Sequence, residues 1–109
     1  MLGEKLTGDE MKVYLVIDMA KDEFEYCAMD DVLDILCRGS NKENSNERFR
    51  ELSDLIRALR SNSTLMNIGL ESTWIYHVPL YNHFITEGFP VRILNGLEVR
   101  RMKKSTVRK

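Results

Sequence analysis

Two carboxylates stand where apolar runs stop. Val13-Tyr-Leu-Val-Ile-Asp18 is five apolar residues closed by an aspartate, and Leu65-Met-Asn-Ile-Gly-Leu-Glu71 is a shorter apolar run closed by a glutamate. A carboxylate at the end of a buried strand is costly to desolvate unless water, a turn or a cation compensates it. Two acids held a few ångströms apart repel each other, and a hard divalent ion such as Mg²⁺ or Mn²⁺ relieves that repulsion while keeping several of its waters. Phosphodiester chemistry uses such ions in pairs, one activating the nucleophile and the other holding the leaving oxygen. Asp18 and Glu71 are thus candidate metal ligands and catalytic residues. Taken singly, each also reads as a solvated strand end, or, for Glu71, as an acid near the next helix's positive end.

Other groups invite plainer readings. Lys21 can contact phosphate or simply be solvated in a turn. His77 and His83 are six apart and do not share one face of a regular helix, which disfavours a two-histidine metal site, although His77 can hydrogen-bond near the acids. Ser72 and Thr73 read as helix caps rather than nucleophiles, and Asp22, Asp30 and Asp31 as turn residues. Trp74 and Tyr76 can stack on a base, but single aromatics in a helix's first turn are more often core or rim packing. Residues 100–109 hold Arg100, Arg101, Lys103, Lys104, Arg108 and Lys109 and no acid, leaving ten bases against seventeen acids on the other 99 residues. A basic tail on an acidic body suits a polyanion partner bound with strong salt dependence, or an embrace between tail and body.

The elements that must position these groups follow from periodicity. The chain has 109 residues, 43% hydrophobic and 30% charged, enough for one domain with a sizeable core, and no stretch is apolar for the ~20 residues of a membrane span. Cytoplasmic location is the default. Residues 1–10 read as a leader, 11–99 as the domain and 100–109 as the basic tail. After a first strand over 12–18, Phe24, Tyr26 and Ala28 alternate with Glu25, Cys27 and Met29, a period of two. Asp30-Asp31 reads as a two-residue hairpin loop that sets Leu33, Ile35 and Cys37 opposite Ala28, Tyr26 and Phe24. That register places Cys27 and Cys37 on opposite faces, roughly 10 Å apart, as free thiols. A polar stretch, 39–46, leads to a helix over 45–60 with Asn44 and Glu47 as a capping pair and Phe49, Leu52, Leu55, Ile56 and Leu59 at helical spacing. The strand 65–71 follows, then a helix carrying Trp74, Val78, Tyr81, Phe84 and Ile85, with an irregular first turn before Pro79 and a stop at Gly88. Val91–Leu94 is the fifth strand. The order implies an α/β mixed sheet of five strands with flanking helices. If strand four lies parallel beside strand one, Asp18 and Glu71 emerge together on the sheet's carboxyl edge.

With IDMAKDEF, IGLESTWIYHVPLYNHF and EGFPVRILNGLEVRRMKKSTVRK in that order, residues 11–109 resemble the N-terminal catalytic domain of the DEDD transposases of bacterial insertion sequences. That family includes the Piv pilin-gene invertase, and its domain is similar to the RuvC resolvases and the ribonuclease-H fold. The resemblance implies that Asp18 and Glu71 match the family's first two acids, as ligands of Mg²⁺ or Mn²⁺. It implies DNA as partner, structured RNA for some members, homo-oligomers of the full-length protein, and a nucleoid-associated location. Its third and fourth acids belong beyond Lys109, and so does a C-terminal domain with a serine used in strand exchange. The expectation is therefore an N-terminal fragment or remnant of a transposase, inactive alone. The family usually has glycine where Trp74 stands and proline where Gly96 stands, and Trp74 is close enough to Glu71 to narrow the site. The alternative is a nucleic-acid-binding or oligomerising module without catalysis. An actin-like ATPase, which shares the fold, is disfavoured because Met19-Ala-Lys21 offers no phosphate cradle.

Overall fold

The computed structural model describes residues 12–61, 65–72 and 74–94. Five strands and two helices alternate as β1 (Lys12–Met19), β2 (Glu23–Asp30), β3 (Ile35–Glu43), α1 (Asn46–Arg60), β4 (Leu65–Ser72), α2 (Val78–Glu87) and β5 (Val91–Ile93). They form one mixed sheet in the order β3-β2-β1-β4-β5, with β2 antiparallel to its neighbours and β1, β4 and β5 parallel. The α/β reading of the sequence therefore holds.

Alternation along β1 sorts the sheet into two faces. Val13, Leu15, Ile17 and Met19 are buried in one cluster with Phe49, Leu52 and Ile56 of α1 and with Leu80 and Phe84 of α2, so both helices cover the same face. Tyr14, Val16 and Asp18 point the other way. Val16 and Met29 are buried there as well. On that second face Leu94 lies against Gly69, close enough that a Cβ on Gly69 would come within 2.4 Å of Leu94 Cδ1. Residue 69 must be this small because the β4 backbone itself forms Leu94's seat.

Several local expectations need correction. The β2–β3 connection is longer than two residues: Asp30 Oδ1 accepts hydrogen bonds from the backbone N–H groups of Val32 (3.0 Å) and Asp34 (2.9 Å), and Leu33 sits at φ 67°. An aspartate that turns the chain with its own side chain makes a wider loop than sequence spacing suggests. The register moves accordingly. Cys37 lies opposite Ala28, and Gly39, whose missing Cβ leaves room for the Tyr26 ring, lies opposite Tyr26. Cys27 and Cys37 are thus diagonal neighbours rather than three pairs apart, yet they still project from opposite faces and are free. Residues 39–43, polar and read as loop, continue β3, because an edge strand packs one face only and tolerates polar residues on the other.

The α1 cap is Ser45, whose Oγ accepts from Arg48 N–H at 3.4 Å. Asn44 is used elsewhere: its Nδ2 donates to the carbonyls of Ala20 (3.0 Å) and Lys21 (3.3 Å), bracing the β1–β2 turn. For α2 the irregular first turn and the proline start are as expected, and Gly88 closes the helix at φ 84° with its N–H and that of Phe89 returned to α2 carbonyls. The apolar stripe differs, however. Leu80 and Phe84 are buried, whereas Trp74, Val78 and Ile85 are exposed. Ser72 is the last residue of β4 rather than a cap, and the residue at the α2 cap, His77, makes no side-chain capping bond.

Candidate functional site

Asp18 and Glu71 are direct register partners on β1 and β4. Adjacent strands are about 4.8 Å apart, and partners in a parallel pair project from the same face, so both acids leave the face opposite the helices, one residue before their strands end. Each is half-buried. The antiparallel partner of Asp18 on its other side is Glu25 of β2, which lies on the same face. Three acids on three adjacent strands therefore form a row, Glu25–Asp18–Glu71. Periodicity placed Glu25 on this face of the ribbon, but its proximity to Asp18 follows from the tight β1–β2 turn. The signal was available: with Met19 opposite Phe24, residue 18 must face residue 25.

An open cleft of about 300 Å³ adjoins the row, lined by Asp18, Glu23, Glu25 and Asn41 together with Met19, Ala20 and Phe24. Asn41 reaches it from β3, where the chain bulges at φ 55°. Lys21 is exposed in the turn directly after β1, and Asn44 holds that turn through the carbonyls of Ala20 and Lys21. Since β1, β4 and β5 are parallel, the β1–β2 turn, the end of β4 and the end of β5 all lie on one edge of the sheet. The expected basic tail, residues 100–109, lies outside the described residues, as do the leader, Thr73 and Gly96.

The histidines separate as their spacing indicated. His83 Nε2 is 2.9 Å from Ser53 Oγ, linking α2 to α1, and its ring lies between Phe49 and Phe84 at centroid distances of 5.9 and 6.1 Å. Ser53 is only 2% exposed, and the pair fastens one helix to the other. His77 Nδ1 is buried without a hydrogen-bond partner among the described residues. Trp74 is 74% exposed and stands at φ 59°, with its ring edge-on to Tyr76 at 6.0 Å. The left-handed region suits glycine and is costly for any other residue.

The oxygen-only chemistry of the row suits a hard divalent cation. Two adjacent carboxylates are part of a cage and not all of it: among the described residues no three Asp, Glu, His or Cys side chains converge to hold an ion.

Comparison with known proteins places the chain in a family. No curated protein matches the chain. Among solved structures, a Ppx/GppA family member from Aquifex aeolicus is similar at 7% identity with a TM-score of 0.44, covering 79% of this chain and 36% of its own. The chain thus spans about a third of that structure, and a likeness so slight carries no argument about function. A family model described as a transposase, of the DEDD type found in IS110 elements, matches residues 15–109. That span holds both Asp18 and Glu71 and nearly all of the described sheet, and the chain belongs to the IS110-type DEDD transposase family.

Proposed function

We propose that the carboxyl edge of this sheet binds DNA at a phosphodiester and serves metal-dependent strand cleavage and exchange, with Asp18 and Glu71 as metal-holding catalytic residues. The observation that carries the reading is the register pairing of these two acids on parallel strands within a transposase-family domain. The sheet fixes the spacing of the two backbones from which the acids project. Bound Mg²⁺ or Mn²⁺ would supply Lewis-acid stabilisation of the phosphoryl oxygens and an activated oxygen nucleophile. The protein's own part is to orient that ion through two carboxylates and to set the strand's path. Lys21 on the β1–β2 turn, with Arg100, Arg101, Lys103, Lys104, Arg108 and Lys109, supplies phosphate-neutralising charge. Because the described residues furnish only part of a metal cage, we infer that this chain binds the ion weakly and turns over little or not at all by itself. Structured RNA and a second copy of the chain are further partners in this reading.

The test is incubation of the protein with supercoiled and branched DNA in Mg²⁺ or Mn²⁺. Cleavage that disappears in Asp18→Ala would establish catalysis and overturn the inference of an inactive chain. DNA binding that ignores divalent ions, survives both Asp18→Ala and Glu71→Ala, and is lost on removing residues 100–109 would refute the metal role and leave a binding module.

A further inference from the structure

Trp74 is an expensive residue to leave where it is. A large apolar side chain that is 74% exposed gains little from burial, and its backbone occupies the left-handed region, which costs a non-glycine residue energy that the surrounding structure must offset. Tyr76 meets its ring edge-on, the T-shaped geometry aromatic pairs prefer. The result is a propped aromatic plane three residues after Glu71, on the sheet edge that carries the carboxylate row. Ile75 and Val78, 51% and 41% exposed, extend the apolar surface around it.

We propose that Trp74 is a stacking platform for an unpaired DNA base adjoining the phosphodiester at the Asp18–Glu71 pair. This rests on the reading of that edge as a DNA site and specifies the substrate as single-stranded or locally melted. A flat aromatic face takes any base without reading its sequence, and a paired base inside a duplex cannot offer its own face to it. Continuity with the carboxylate row decides the occupant. A strand drawn to an ion held by Asp18 and Glu71 places its neighbouring nucleotides within reach of the loop that follows Glu71. A purely apolar protein partner would have to seat itself against that acidic row.

Trp74 is the only tryptophan in the chain, so its emission reports directly on the platform. The full chain is titrated with a short single-stranded oligonucleotide and with a duplex of the same sequence, once in Mg²⁺ and once in EDTA, so that the ion's contribution is read apart from the stacking. Binding is followed in parallel by the anisotropy of labelled DNA. The expected result is saturable quenching by the single strand and several-fold less by the duplex, with Trp74→Ala weakening single-strand binding roughly tenfold and Trp74→Phe retaining most of it. Single-strand quenching of equal strength in Mg²⁺ and in EDTA would fail the metal reading while leaving the platform standing, which keeps the two distinguishable. Binding without quenching, equal quenching by duplex, or unchanged affinity in Trp74→Ala would overturn the proposal. So would the absence of any DNA binding, or an emission change that tracks protein concentration instead of DNA.

Discussion

Asp18 and Glu71 face each other across neighbouring parallel strands, and Glu25 extends the same row on the antiparallel side. A row of carboxylate oxygens of this kind suits a hard divalent cation. Mn²⁺ at millimolar concentration is therefore expected to raise the unfolding temperature of the wild-type chain, since an ion that binds the folded state alone stabilises it by mass action. In Asp18→Asn or Glu71→Gln the shift should vanish. Glu25→Gln, at the end of the row, should reduce it only in part. Scanning calorimetry with and without Mn²⁺ decides this, and equal shifts in all four proteins would remove the carboxylate pair from metal binding.

Backbone strain at Trp74 gives a prediction whose sign runs against ordinary propensity. Trp74→Gly and Trp74→Ala remove the same exposed ring, but only glycine adopts φ 59° without penalty. The glycine variant is expected to be more stable than the alanine variant by about 1 kcal/mol, read from urea unfolding midpoints at constant m. Alanine ahead of glycine would mean that the loop relaxes out of the left-handed region.

Ser53 and His83 join the two helices inside a ring of aromatics. Ser53→Ala leaves His83 Nε2 without its partner in a partly buried setting, at an expected cost of roughly 1–3 kcal/mol. His83→Phe removes the polar atom while keeping an aromatic ring between Phe49 and Phe84. The double variant should then recover part of the loss, and a double-mutant cycle from denaturant curves measures the coupling.

Gly69 is expected to resist enlargement. Gly69→Val drives a branched side chain into Leu94, whose Cγ would lie 2.8 Å from even a bare Cβ, and overpacking of this kind costs roughly 1–3 kcal/mol. Adding Leu94→Ala should relieve a measurable share of it. If Gly69→Val alone unfolds at the wild-type urea midpoint, Leu94 does not occupy that seat.

Burial raises the thiols of Cys27 and Cys37 above their ordinary 9.0, with Arg38 pulling Cys27 partly back and Cys27 adding to the rise at Cys37. Burial also raises the Tyr26 phenol, with help from Cys37 and Glu51. Each acid is thus neutral in the fold at pH values where the unfolded chain ionises it. Their contribution is fully present below about pH 9 and is lost as pH climbs through the raised values. Unfolding midpoints measured from pH 7.5 to 10.5 should fall at the alkaline end, and Cys27→Ala with Cys37→Ala should flatten the fall.

Much of this protein is decided locally. An apolar run of residues 13–17 makes a central strand, Phe49, Leu52 and Ile56 at helical spacing make α1 bury one stripe, and Pro79 and Gly88 bound α2, because each signal acts within a turn or two of backbone. The acids at the ends of β1 and β4 were legible for the same reason. Registers and partners were not. A side-chain turn at Asp30 moved Cys37 from Phe24 to Ala28, and the cap shifted from Asn44 to Ser45 because Asn44 is bonded to a turn more than twenty residues away. Whether Trp74 or Leu80 enters the core depended on how the irregular turn after β4 aims the start of α2. Sequence singled out Asp18 and Glu71 as candidates; only the pairing of β1 with β4, a contact between segments distant along the chain, set them side by side, and the β1–β2 register added Glu25 to the row.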